Sequence, residues 1–83
     1  MRISLIKSNK DTESFLLAKG LGMKVVELED NEDVDNQISK LIQNNYKNII
    51  LTSEIAGFSE DIIKKYKNDD NIKIFITPNK RRQ

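Results

Sequence analysis

Asn48-Ile49-Ile50-Leu51-Thr52-Ser53-Glu54-Ile55-Ala56-Gly57-Phe58-Ser59 is the stretch whose reading decides the fold. Its opening run, apolar on consecutive positions up to Leu51, is what a strand covered on both faces looks like. A helical pattern follows at once, with Ile55, Phe58, Ile62, Ile63 and Tyr66 on one side. Gly57 and Ser59 interrupt that pattern early. The spacing therefore predicts a single turn over Glu54–Phe58 and a main helix over Glu60–Lys67, with Ser59 as its cap.

Upstream, Asn31 to Tyr46 carries the clearest helical period. Val34, Ile38, Leu41 and Ile42 fall on one face, and Glu32 and Asp33 occupy the first turn, where the helix dipole favours negative charge. Met23 to Leu28 reads as a strand, with Glu27 and Glu29 turned to water. Nearer the start, Ile3, Leu5 and Ile6 form a short strand that ends at the polar break Lys7-Ser8-Asn9-Lys10. Asp11 or Thr12 caps a helix containing Phe15, Leu16, Leu17 and Ala18, and Gly20 or Gly22 closes it. Downstream, the polar turn Asn68-Asp69-Asp70-Asn71 leads into a strand over Ile72–Ile76, stopped by Thr77-Pro78.

The order is thus β-α-β-α-β-α-β with short connections. Helical crossovers return the chain to the same end of the sheet, so the strands pair in parallel. Right-handed crossovers leave few arrangements. The expected fold is a three-layer α/β/α sandwich of the flavodoxin or receiver type, with a four-stranded parallel sheet in the order 2-1-3-4. Glu27 and Lys73 mark the second and fourth strands as edges. A single domain is expected over residues 1–78, with a basic tail over 79–83.

Composition narrows the chemistry. The 83 residues hold 37% hydrophobic and 33% charged side chains, a balance that fits one small soluble domain. Fourteen basic and thirteen acidic groups leave a net charge of +1, without the basic excess of a nucleic-acid binder. No cysteine is present, which removes disulfides and thiolate chemistry, and no histidine, which removes the usual neutral-pH base. Apolar runs such as Ile49-Ile50-Leu51 fall far short of the ~20 residues that span a bilayer, and the start of the chain lacks a signal-peptide core. A cytoplasmic protein without membrane insertion is expected.

In a parallel sheet the loops at the carboxyl ends of the strands hold the working residues. Gly20, Gly22 and Gly57 all lie outside the loop after the first strand, so a phosphate-cradling motif is not formed. Thr52 stands where a phosphoryl-accepting receiver domain needs aspartate, leaving Asp11 and Lys80 as faint echoes of such a site. Glu27, Glu29, Asp30, Glu32, Asp33 and Asp35 are six acids in nine residues. They read either as a cation or docking site or as a solvated edge strand running into an acid-capped helix, the blander reading having the better claim. Lys80-Arg81-Arg82 reads as a frayed basic end. No catalytic, cofactor or metal residue is assigned.

Asn48-Ile49-Ile50-Leu51-Thr52-Ser53-Glu54-Ile55-Ala56 resembles the F subunit of V-type and archaeal-type rotary ATPases, in which an aliphatic strand runs into Thr-Glu-x-Ile-Ala. The likeness continues through Ile62-Ile63-Lys64-Lys65-Tyr66 and through Ile74-Phe75-Ile76-Thr77-Pro78-Asn79-Lys80, where the family has an aliphatic strand and Pro-x-Lys. At the front, Asp11-Thr12 and Phe15 to Ala18 are similar to an Asp-Thr/Ser…Gly-Phe-x-Leu-Ala pattern, with Ser14 in place of the glycine. Family members commonly continue into a C-terminal helix that contacts the shaft. This chain stops at Gln83, as a short form lacking that helix would.

The resemblance implies a non-catalytic rotor component of the central stalk. It would bind the long coiled-coil D subunit, without cofactor or nucleic acid, and help couple ATP hydrolysis or synthesis to proton or sodium movement at the membrane periphery. Such a part needs a rigid body and one adhesive face carrying apolar residues beyond those of the core. The candidates are Thr52, Ser53, Glu54, Ile55 and Phe58, with Thr77 and Pro78 at the same sheet edge. Core is an equally open assignment for Phe58, and the more natural one for Ile62 and Ile63. Two other readings stand beside this one. The first is a degenerate receiver-like module that docks on a partner without phosphorylation; the second is a small enzyme using Asp11, Lys80 or Thr52.

Overall fold

The structure, a computed structural model, describes residues 2–11, 20 and 22–77. The strands are β1 (Ile3–Ser8), β2 (Lys24–Leu28), β3 (Asn48–Leu51) and β4 (Lys73–Ile76). All pair in parallel, in the order β2-β1-β3-β4. The expected topology and both edge strands are therefore found. The helix expected around Phe15 to Ala18 and the basic tail lie outside the described residues.

Register places Ile6 between Val26 and Leu51, and Leu5 between Val25 and Ile50. Ile6, Ile49 and Leu51 are fully buried on one face of the sheet. Against them pack α1 (Val34–Gln43), through Val34, Ile38 and Leu41, and α2 (Ser53–Ala56), through Ile55 and Ala56. The last helix, α3 (Glu60–Tyr66), adds Ile62 and Ile63, which are half-buried against the same core. Ile50 points to the opposite face and is only half-buried, so β3 is less evenly covered than its run of apolar residues suggested.

Several boundaries differ from expectation by a residue or two: β2 and β4 each start one residue later, α2 covers Ser53–Ala56 and not Glu54–Phe58, and α3 ends at Tyr66. Three further differences have a clear local reason. β1 runs on to Ser8, so Lys7 is a strand residue and not part of a polar break. The expected Asn31–Tyr46 helix begins as a 3-10 turn over Asn31–Asp33, capped by Asp30, whose carboxylate accepts from the Glu32 amide at 3.0 Å. It ends at Gln43. There the Tyr46 amide donates to the Leu41 carbonyl, the Asn45 amide donates to that of Ile42, and Asn45 takes a left-handed φ of 68°. This is the Schellman closure, with asparagine in the place that glycine usually takes.

Ser59 stands at the cap position of α3 as expected, but its hydroxyl does not cap the helix. It donates instead to the Asp35 carboxylate at 2.5 Å, tying α3 to α1. The charge-assisted bond holds a hydroxyl that is 2% exposed.

Candidate functional site

The carboxyl ends of the strands gather three loops at one end of the sheet. After β1 the chain turns tightly, and the amides of Asn9, Lys10 and Asp11 are engaged within the turn and with β2. Asn9 donates to the Leu28 carbonyl at 2.9 Å, Asp11 to the Ser8 carbonyl at 3.0 Å, and Lys10 to the Ser8 hydroxyl at 3.2 Å. A loop that cradles phosphate must aim such amides at its ligand. This one turns them inward.

Lys7 is the residue the sequence reading missed. Its side chain is 1% exposed, yet it carries a charge. The ammonium donates to the Ser8 carbonyl at 3.1 Å and to the Asp11 carbonyl, and it lies 3.3 Å from Glu27, its register partner on β2. Alternation along Ile3, Leu5 and Lys7 was the available signal, because it puts the lysine on the face that buries Leu5. The lysine clamps the β1 turn to β2 and so fixes the position of the loop end of the sheet.

The acidic run after β2 is largely absorbed by local bonds. Asp30 caps the 3-10 turn, and Asp35 holds Ser59. Asp33 accepts from Asn36 and Gln37 at 3.0 Å each; the Gln37 and Asn36 bonds, with a smaller contribution from Lys40, hold its carboxyl below the ordinary aspartate value of 3.8. Among the described residues no group of three or more acidic side chains is placed to hold a metal ion. Glu29 and Glu32 stay exposed beside these bonded acids.

The third loop carries the expected adhesive residues, and the structure separates them. Thr52 is buried: its hydroxyl accepts from the Ile55 amide at 3.4 Å, its carbonyl accepts from Ala56, and its own amide donates to Ile6. Ile55 is fully buried in the core. Both therefore lie beneath the surface where the sequence reading had put them, because capping and core packing use them. Ser53 and Thr77 are half-buried, Glu54 is exposed, and Pro78 lies outside the described residues. Phe58 is 45% exposed, which departs from its expected alignment with Ile62 and Ile63. It sits in the bend between α2 and α3, with its amide bonded to the Ile55 carbonyl at 2.9 Å.

These pieces enclose an open cleft of about 500 Å³. Ser8, Asn9 and Lys10 form one wall, Glu29 to Glu32 another, and Glu54 and Phe58 the third. Asn31 donates to Glu54 across it at 3.5 Å. What stands out chemically is an exposed aromatic ring beside a carboxylate-rich rim, mounted on a capped helix turn.

No family model and no solved structure matches the chain. Curated relatives do. Two proteins, named as the F subunit of V-type ATP synthase and coming from Clostridium botulinum strain Eklund 17B (Type B) and strain Alaska E43 (Type E3), are each 28% identical to it over 68 residues. The match takes in 82% of this chain and 66% of each relative, so the chain spans just under two thirds of their length. The family that residues 48–80 resemble is thus also the family that these similar proteins are named for, the F subunits of V-type ATP synthases.

Proposed function

We propose that this protein is a non-catalytic component of the central stalk of a V/A-type rotary ATPase, which docks on the coiled-coil D subunit at the carboxyl end of its sheet. In this role it turns with the shaft and helps couple ATP hydrolysis or synthesis to ion transport, peripheral to the membrane. Phe58 carries the reading. A large apolar side chain held 45% exposed beside a rigidly capped turn has the form of an interface anchor, since buried aromatic residues dominate docking energies. Glu54 shares the cleft with it, Thr52 and Ile55 hold the turn from beneath, and Ser53, Thr77 and Pro78 complete the proposed set of contact residues. The coiled coil would lay an apolar seam against Phe58 and basic side chains toward Glu54 and the Glu29–Glu32 wall.

Mixing the protein with the D subunit of the same organism tests the proposal. A one-to-one complex that co-elutes in size exclusion is expected. Separate elution at concentrations well above the micromolar range points instead to an independent receiver-like module.

A further inference from the structure

β4 leaves one edge of the sheet open. Lys73 donates its amide to the Lys47 carbonyl at 2.8 Å and Thr77 to that of Leu51 at 2.9 Å, so residues 73, 75 and 77 turn their backbone groups toward β3. By alternation, Ile74 and Ile76 present theirs outward. No strand among the described residues pairs with them there. The same short strand exposes Phe75 (51%) and Ile76 (49%), two of the three exposed large apolar side chains among the described residues. Beside it runs a groove of about 160 Å³ lined by Ile63, Tyr66, Ile72, Ile74 and Phe75, with Lys67 and Lys73 as its charges. Open apolar edges are templates for a further strand.

We propose that the occupant is the same edge of a second copy, paired antiparallel about a two-fold axis through Phe75. In that register Ile74 faces the partner's Ile76, and each exchanges both its N–H and its C=O with the other. Phe75 meets the partner's Phe75 at the closer, non-hydrogen-bonded spacing, where aromatic pairs contribute most. Lys73 faces the partner's Thr77, so no like charges are opposed. Sliding the register by one pleat in either direction sets Phe75 against the partner's Lys73 or Thr77 and so loses the aromatic pair on the axis. The edge is therefore best matched to itself in the register centred on Phe75. Its two-fold symmetry closes the assembly at a dimer, whereas pairing β4 with β2 of another copy would build an open filament.

The contact is small. One short strand and the flank of α3 bury less than the ~1,200 Å² of a standard-size complex, so a dissociation constant of about 10–100 µM is expected. The contact is centred on Phe75, apart from Phe58, and shares Thr77 with the proposed stalk contact; measured on the protein alone, without the D subunit, it stands or falls independently of the stalk reading.

Sedimentation velocity on the full chain from about 2 to 500 µM, bracketing that range, tests it. A monomer passing to a dimer is expected. Phe75→Lys, which places two ammonium groups on the axis, and Ile76→Pro, which removes an outward amide while leaving the β3 ladder intact, are both expected to remain monomeric throughout with unchanged far-ultraviolet circular dichroism. Should Ile76→Pro fail to fold, Phe75→Lys decides alone, because its side chain is already half in water. A monomer at every concentration overturns the proposal, whether or not it captures a foreign strand. So does growth beyond the dimer, or a dimer that survives substitution of Phe75.

Discussion

Replacing Lys7 separates the contributions of its stem, its hydrogen bonds and its ion pair. The side chain is 1% exposed while that of Glu27 is 50% exposed. With one partner half in water, the ion pair ranks with surface pairs, at about 0–1 kcal/mol. Lys7→Ala removes three buried methylenes, at about 0.8 kcal/mol each. It also removes the donor from the Ser8 and Asp11 carbonyls, although Ser8 keeps the Asp11 amide as a partner; that loss is about 1 kcal/mol. The total is about 3–4 kcal/mol, or a fall in Tm of roughly 12–32 °C for a domain of this size. Lys7→Met keeps the stem and should lose about 1–2 kcal/mol. Glu27→Gln should lose about 1 kcal/mol or less. Urea unfolding followed by circular dichroism orders the three. If Glu27→Gln is as damaging as Lys7→Ala, the ion pair dominates and the reasoning is refuted; if Lys7→Met equals the natural protein, the carbonyl bonds contribute nothing.

Ile55→Ala should cost about 2–5 kcal/mol in the same assay, because it empties a fully buried site between α2 and the sheet. A loss below ~1 kcal/mol would mean that the helix turn does not pack as described. For Ser59 and Asp35, a double-mutant cycle with Ser59→Ala and Asp35→Asn should give a coupling of about 1–2 kcal/mol, as a charge-assisted bond to a buried hydroxyl requires, while strict additivity would remove that link. Asp33 has a folded-state carboxyl held below 3.8 by Gln37 and Asn36, so its contribution is complete above that value and is lost as pH falls through the lower folded one. Asp33→Asn should accordingly flatten the acid limb of a stability–pH curve below about pH 4 and leave the neutral region's slope unchanged; an unchanged acid limb would contradict the assignment.

How far the sequence could be read depended on whether local chemistry and burial agreed. At β3 they agree on position, though not on coverage. Ile49–Leu51 is aliphatic, ends at a capping threonine and is followed by helical spacing, so the strand's bounds and its place inside the sheet could be read directly, while the half-burial of Ile50 could not. At Lys7 they conflict, since lysine ordinarily marks the end of a strand and here continues it. Only the alternation with Ile3 and Leu5 pointed the other way. The end of α1 was hidden for a similar reason: Asn45 in a left-handed conformation closes the helix while Tyr46 still falls on the apolar period. At the docking surface the residue types were legible but their depth was not. Thr52 and Ile55 are used by the cap and the core, whereas Phe58 turns outward at a bend created by Gly57 and Ser59. Burial of that kind depends on how three segments meet, which no single segment records.

Titration calorimetry of the coiled-coil D subunit with two variants tests the proposed docking face most directly. Phe58→Asp removes the exposed ring at the loop end, and Lys47→Glu reverses an exposed charge at the opposite end of β3. A loss of affinity of at least about tenfold is expected for the first, in line with an interface anchor, and less than about threefold for the second. Equal affinity for Phe58→Asp and the natural protein, or a larger loss for Lys47→Glu, would contradict the proposed face.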